Sequence, residues 1–156
     1  MIDVFIPGVP APQGSKRHVG NGIMVEMSKG VKPWRESIRS ALITSAGQPV
    51  ERFGGAVIVH CEFVMPRPKC LAKRVTPLHV KRPDRDKLKR AVNDAITSAG
   101  VICDDSADCG GACVKRYAEI GEVPGLRLRI TDATADAWRA LLDYAGKQDA
   151  KTPAAA

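Results

Sequence analysis

No stretch of this chain is apolar for the roughly 20 residues that a membrane-crossing helix needs, so no spanning segment is expected. The amino terminus, MIDVFIPGVPAPQG, has neither the basic start nor the long apolar run of a secretion signal, and the protein is expected in the cytoplasm. No Cys-x-x-Cys pair occurs among Cys61, Cys70, Cys103, Cys109 and Cys113, and an odd, scattered set does not make a disulfide framework. His18, His60 and His79 lie far apart in sequence. Cys109 and Cys113 therefore lack the further ligands of a zinc centre, and reduced thiols are the expectation.

Acidic residues are scarce in one place in particular. Between Arg67 and Arg90 there are ten Lys or Arg residues, and the only acids are Asp84 and Asp86. The whole chain carries a formal charge of +7 and a pI near 9.4. Charge concentrated in one region points to a polyanionic partner, nucleic acid above all. At 156 residues, 44% hydrophobic and 26% charged, the chain is long enough for one domain with a real core. That domain is expected over residues 1–146, with 147–156 (KQDAKTPAAA) as a disordered tail.

The pattern along the chain predicts a mixed α/β (α+β) fold, a small mixed sheet flanked by helices. Residues 2–7 read as a strand, stopped by Pro10 and Pro12, and a flexible glycine-rich loop is expected from Gln13 to Gly30. Trp34, Ile38, Ala41 and Leu42 recur at helical spacing, which predicts a helix from Lys32 to about Ala46, with Gly47 as its stop. In 56–65, Val57, Val59, Cys61, Phe63 and Met65 alternate with the polar side chains of His60 and Glu62, a strand with one polar face. Residues 67–83 hold three prolines and six Lys or Arg, a long basic loop. Leu88, Ala91, Val92, Ala95 and Ile96 then share a helical face, so a helix starts near Asp84 to Asp86 and closes at Ser98-Ala99-Gly100. Asp104-Asp105-Ser106 opens a turn. Cys113–Ile120 and Leu126–Ile130 read as the two strands of an antiparallel hairpin around Gly121–Gly125. Thr131 or Asp132 is expected to cap a last helix, with Trp138, Leu141, Leu142 and Ala145 on one face.

Asp84 and Asp86 at a helix start have an ordinary role open to them, as caps or as complements of the macrodipole. One cap needs only one acid, however, and a second pair, Asp104-Asp105, follows the same helix. If these carboxylates converge, their repulsion calls for a cation, and hard oxygen donors suit Mg²⁺ or Mn²⁺. Such a metal activates water and polarises a phosphate. Arg90, one turn after Asp86, is placed either to stabilise phosphate charge or to form an ion pair with Asp94 or Asp86.

Taken in order, Pro83, Asp84, Asp86, Leu88, Arg90, Asp94-Ala95, Gly100 and Asp104-Asp105-Ser106 resemble the RusA family of Holliday junction resolvases. The family's signature is a Pro-Asp-x-Asp-Asn-Leu core, a basic residue four positions after the second Asp, an Asp-Ala, a Gly and a closing Asp-Asp-Ser. The opening PGVPAPQGSKR and Trp34 resemble the family's amino-terminal pattern. The resemblance covers about residues 2–130 and differs in carrying Lys87 for asparagine and Arg90 for lysine, a planar fork in place of a point charge. Residues 107–112 (ADCGGA) also depart from the family's strand start, so a frayed or bulged strand is expected there.

The resemblance implies that Asp84, Asp86 and Asp105 are metal-binding catalytic carboxylates, with Arg90 as a further catalytic group. It also implies a homodimer that cuts four-way DNA junctions by paired nicks, using Mg²⁺ or Mn²⁺ and leaving 5′-phosphate ends. A two-fold interface matches the near two-fold symmetry of such a junction, and the first or the last helix is a candidate to form it. Lys16, Arg17, Lys69, Lys73, Arg74, Lys81, Arg82, Lys87, Lys89, Lys115 and Arg116 are the candidate phosphate contacts. Two other readings stay open: a non-catalytic junction or duplex DNA-binding protein whose acids are only caps, and a nuclease of flaps or forks.

Overall fold

The computed structural model describes residues 1–14, 16–18, 24–26, 30–71 and 75–134. Among them seven strands and two α-helices run in the order β1 (Ile2–Pro7), β2 (Lys16–His18), β3 (Met24–Glu26), α1 (Val31–Ala41), β4 (Val57–Met65), α2 (Arg85–Ser98), β5 (Asp108–Gly110), β6 (Cys113–Tyr117) and β7 (Gly125–Asp132). A single 3₁₀ turn, Asp105–Ala107, sits between α2 and β5. The mixed sheet flanked by helices expected from the pattern is what forms.

β4 organises the sheet because its core face is wholly apolar, while the opposite face carries His60 and Glu62 between Ile58 and Val64. Val57, Val59, Cys61, Phe63 and Met65 point into the core, and Ile58 and Val64 are buried as well, the composition of a central strand. β7 pairs antiparallel along one edge of β4, and β1 pairs antiparallel with β7 beyond it. β5 and then β6 pair parallel along the other edge, with a register shift beside Val57 and Ile58. This shift is the irregular start expected around residues 107–112.

The predicted hairpin of residues 113–120 with 126–130 does not form. β6 and β7 lie on opposite sides of β4, and the segment between them crosses the end of that strand, where Ala118 N–H donates to the Met65 carbonyl at 2.8 Å. A central apolar strand takes two partners, whereas a local hairpin would leave one edge of β4 bare. At the turn into β7, a Cβ on Gly125 would stand 2.5 Å from the Ile6 carbonyl oxygen, so only glycine lets β1 and β7 close together.

Two further expectations change. Within the segment expected to be a flexible loop, β2 and β3 pair antiparallel, from Lys16 opposite Glu26 to His18 opposite Met24. Thr131 and Asp132 are not helix caps but the end of β7, opposite Ile58 and Val57. The expected last helix with Trp138, and the tail, lie outside the described residues.

α1 ends at Ala41 rather than near Ala46, because the chain turns back over Gly47 (φ +74°). There Thr44 N–H donates to the Gln48 carbonyl at 2.7 Å, and Val50 N–H to the Leu42 carbonyl at 2.9 Å. Val31, Trp34 and Ile38 of α1 and Leu88, Ala91, Val92, Ala95 and Ile96 of α2 are buried against one face of the sheet. Arg35 and Asp94 join the two helices at 3.2 Å. The other face carries paired charges, Asp3 with Arg129 and Glu62 with Arg116 and Arg127.

Candidate active site

Asp84 is the N-cap residue of α2, and Asp86 lies in the first turn. Neither does the work that an ordinary cap would do. The Asp84 side chain makes no capping hydrogen bond; it lies 3.2 Å from Lys87 Nζ at the surface. Asp86 is exposed and has no ion-pair partner among the described residues. Asp94, one of the two partners open to Arg90, is taken by Arg35, and Arg90 is exposed with no carboxylate on it among the described residues.

The segment around Asp84, from Lys81 to Lys87, is held from three sides. Lys115 Nζ, on β6, donates to the carbonyl oxygens of Lys81 (2.7 Å) and Pro83 (2.6 Å). Arg85 donates to the Cys113 carbonyl at 3.2 Å, and Gln13 N–H donates to the Lys87 carbonyl at 3.0 Å. The Arg82–Pro83 peptide is cis. A surface groove runs past Asp84, lined by Pro10, Pro12, Gly14, Met65 and Lys87. The proline-rich opening and the aspartate motif, about 70 residues apart in sequence, therefore meet at one place.

Asp105 is elsewhere. It opens the 3₁₀ turn, exposed, after Asp104, whose Oδ1 accepts from Ser106 N–H at 2.9 Å. Hydrogen bonding by the Ser106 hydroxyl first, and by its N–H after it, lowers the Asp104 pKa, so Asp104 is the capping carboxylate of the pair. The turn lies beside Phe53–Ala56 at the start of β4, whereas Asp84 lies beside Met65 at its end. β4 is nine residues long, roughly 30 Å of extended chain. Among the described residues no three His, Cys, Asp or Glu side chains come together in a group that could hold a metal ion. Among the described residues, then, Asp84 and Asp86 lie together at the start of α2, while Asp105 lies in the turn near the other end of β4.

The basic residues divide sharply. Lys69, Lys81 and Arg82 are exposed, as phosphate contacts must be. Lys87 is half-occupied by Asp84. Three others are turned to internal work and are not free for phosphate. Lys115 braces the loop before Asp84. Arg116 binds Glu62 at 2.6 Å and Glu122 at 2.6 and 2.7 Å, contacts that pull the Glu122 carboxyl down to about 2 and raise the guanidinium's own pKa. Lys89 points under the sheet, 2.9 Å from Asp108 and 2.8 Å from the Val59 carbonyl. Alternation places 113, 115 and 117 inward on β6, a signal that was available for Lys115. For Lys89 the signal is its place beside Leu88 and Val92 on α2. Lys73 and Arg74 lie outside the described residues, and the side chains of Lys16 and Arg17 are likewise not described.

His60 and Glu62 belong to the paired face of the sheet, as the alternation predicts. His60 Nδ1 accepts from Ala112 N–H at 3.0 Å; burial, then the nearby Arg129 and Lys89, lower its pKa. Burial raises the Cys61 thiol to about 12, which leaves it unreactive.

No curated protein matches the chain. A family model does: endodeoxyribonuclease RusA, over residues 7–131, a span that holds the proline-rich opening, both aspartate pairs and the main-sheet strands from β4 to nearly the end of β7. The chain belongs to the RusA family of endodeoxyribonucleases.

Proposed function

We propose that this protein is a divalent-cation-dependent, structure-selective endodeoxyribonuclease that resolves four-way DNA junctions by paired nicks. The observation that carries this reading is the exposure of Asp84 and Asp86 at the start of α2: Asp84 makes no side-chain capping hydrogen bond and is held only by a surface ion pair to Lys87, Asp86 has no ion-pair partner among the described residues, and basic residues surround both. Carboxylates left exposed in a positive region are poised for a cation rather than for stability. Asp84, Asp86 and Asp105 are hard oxygen donors suited to Mg²⁺, with Mn²⁺ as a substitute. Lys69, Lys81 and Arg82 bind the phosphate backbone. Arg90, exposed and with no ion pair among the described residues, neutralises charge on the phosphate being cut.

The separation of Asp105 from Asp84 and Asp86 supports a homodimer in which the donors come from two chains. A two-fold pair would then carry two equivalent centres for the two nicks. The test is cleavage of a labelled four-way junction beside linear duplex and flap controls, in Mg²⁺, Mn²⁺ or EDTA. Metal-dependent paired nicks that vanish in Asp86→Asn are expected. Mixing Asp86→Asn chains with Asp105→Asn chains should recover single nicks, since one intact donor set forms per mixed dimer; no recovery would place the whole centre in one chain. Binding without cutting under every metal would favour the architectural reading.

A further inference from the structure

Lys89 and Asp108 form the best-buried ion pair among the described residues. Their side chains are 19% and 6% exposed and stand 2.9 Å apart. Every polar atom of the pair is used. Lys89 Nζ also donates to the Val59 carbonyl at 2.8 Å, Asn93 Nδ2 donates to Asp108 Oδ2 at 3.0 Å, and Gly110 N–H reaches Asp108 Oδ1 at 3.3 Å. The pair sits where the β4–β5 register shifts and β6 has not yet begun. There Gly111 (φ +127°) lies so close to β4 that a Cβ would stand 2.3 Å from the Val59 oxygen. A lysine on α2 thus bonds a backbone carbonyl in the gap, and the aspartate balances its charge.

The position of the pair in sequence gives it a second consequence. Lys89 is three residues after Asp86, and Asp108 is three residues after Asp105. The bridge therefore joins the helix bearing one part of the aspartate motif to the short arm bearing the other. That arm has few other holds: its 3₁₀ turn has no buried residue, and β5 has only three residues.

We propose that Lys89 and Asp108 are positioning residues, which set the Asp105 arm relative to α2 so that, across the two-fold pair, the carboxylates of one chain meet those of the other, the cation and the phosphate in register. This rests on the endonuclease reading above. Asp108→Asn should leave junction binding in EDTA unchanged and lower kcat by roughly ten- to a hundredfold, the scale of a misplacement of about 1 Å at a reacting centre. Mn²⁺ affinity measured by titration calorimetry without DNA should weaken as well. Lys89→Met/Asp108→Leu removes both charges together, which restores much of the stability lost when one partner is left alone. A pair with a merely structural role would leave that double variant with full kcat and full Mn²⁺ affinity at temperatures where it is folded, and such a result overturns the proposal. Faster amide exchange at Ser106 to Gly110, with kcat and Mn²⁺ affinity both reduced, is the expected result. If the wild type neither cuts junctions nor binds Mn²⁺, the endonuclease reading fails first and takes this role with it, whereas an active wild type with unaffected variants removes the positioning role alone.

Discussion

Lys115 of β6 donates to the carbonyl oxygen of Pro83 at 2.6 Å, so a lysine from the sheet holds the peptide that leads into Asp84. A second bond from the same ammonium to the Lys81 carbonyl makes the hold two-pronged. Binding to a polyanion and building the site that faces it use the same residue type here. The structure separates the two uses.

That separation predicts an unusual result for Lys115→Met. Losing two charge-assisted bonds should cost about 2 kcal/mol of stability and lower the cleavage rate, because the Asp84 segment loses its brace. The salt dependence of junction binding should stay as in the wild type. A phosphate contact would instead lower the slope of log K against log salt by about one. Fluorescence anisotropy on a labelled junction from 50 to 300 mM salt, beside a thermal melt, distinguishes the two.

Arg90 stands at the opposite extreme, exposed and without an ion pair among the described residues. Arg90→Ala should lower kcat with little change in melting temperature or junction affinity, and Arg90→Lys should restore much of the rate. Asp84→Asn should abolish cutting while binding stays the same or tightens, since a negative charge near the backbone is removed. Single-turnover rates and anisotropy on the same preparations settle both; full activity in Asp84→Asn would sink the site assignment.

Glu122 gives the fold a defined acid limit. Its carboxyl is pulled to about 2 by the Arg116 hydrogen bonds first and the Glu119 backbone N–H after them, against an ordinary value of 4.5. The folded state thus binds this proton less readily than the unfolded chain, so the contribution is whole above about pH 4.5 and is lost as pH falls toward 2. Glu122→Gln should flatten the stability profile over that window and lower stability at neutral pH. His60 acts with the same sign at higher pH: burial and Arg129 depress its pKa, so it favours folding while neutral and opposes it as pH falls below 6.5. Urea midpoints from pH 2.5 to 8 would record both effects.

Much of this was legible in the sequence. The apolar periodicity of Leu88 to Ile96 placed α2 within a residue of its bounds, and the double alternation of 57–65 announced a strand. The aspartate motif and the proline-rich opening named the family that residues 7–131 match. Partner choice between strands was not legible, because Cys113–Tyr117 and Gly125–Asp132 each carry enough β-forming residues to pair with each other or with β4. What decides it is the central place of β4, whose two edges each take one of these strands. The inward turn of Lys89 was only half legible: its place beside Leu88 and Val92 points inward, but a lysine in a basic run looks solvated until Asp108, nineteen residues on, is known to sit beneath it.

Two glycines offer a controlled contrast on how tightly the irregular edge of the sheet is built. Gly47 and Gly111 both have positive φ, +74° and +127°. Around Gly47 a Cβ meets nothing within 4 Å, so Gly47→Ala carries only the left-handed backbone cost, about 1 kcal/mol. Around Gly111 a Cβ would stand 2.3 Å from the Val59 oxygen and 2.6 Å from its carbonyl carbon, both backbone atoms that cannot swing aside. Gly111→Ala must therefore push β4 and the 111–112 segment apart, which also strains the Lys89 bond to that same oxygen. A loss of at least about 3 kcal/mol is expected, with cleavage falling further than stability alone explains. Equal melting temperatures for the two variants would mean that the close approach at Val59 is not a feature of the folded protein.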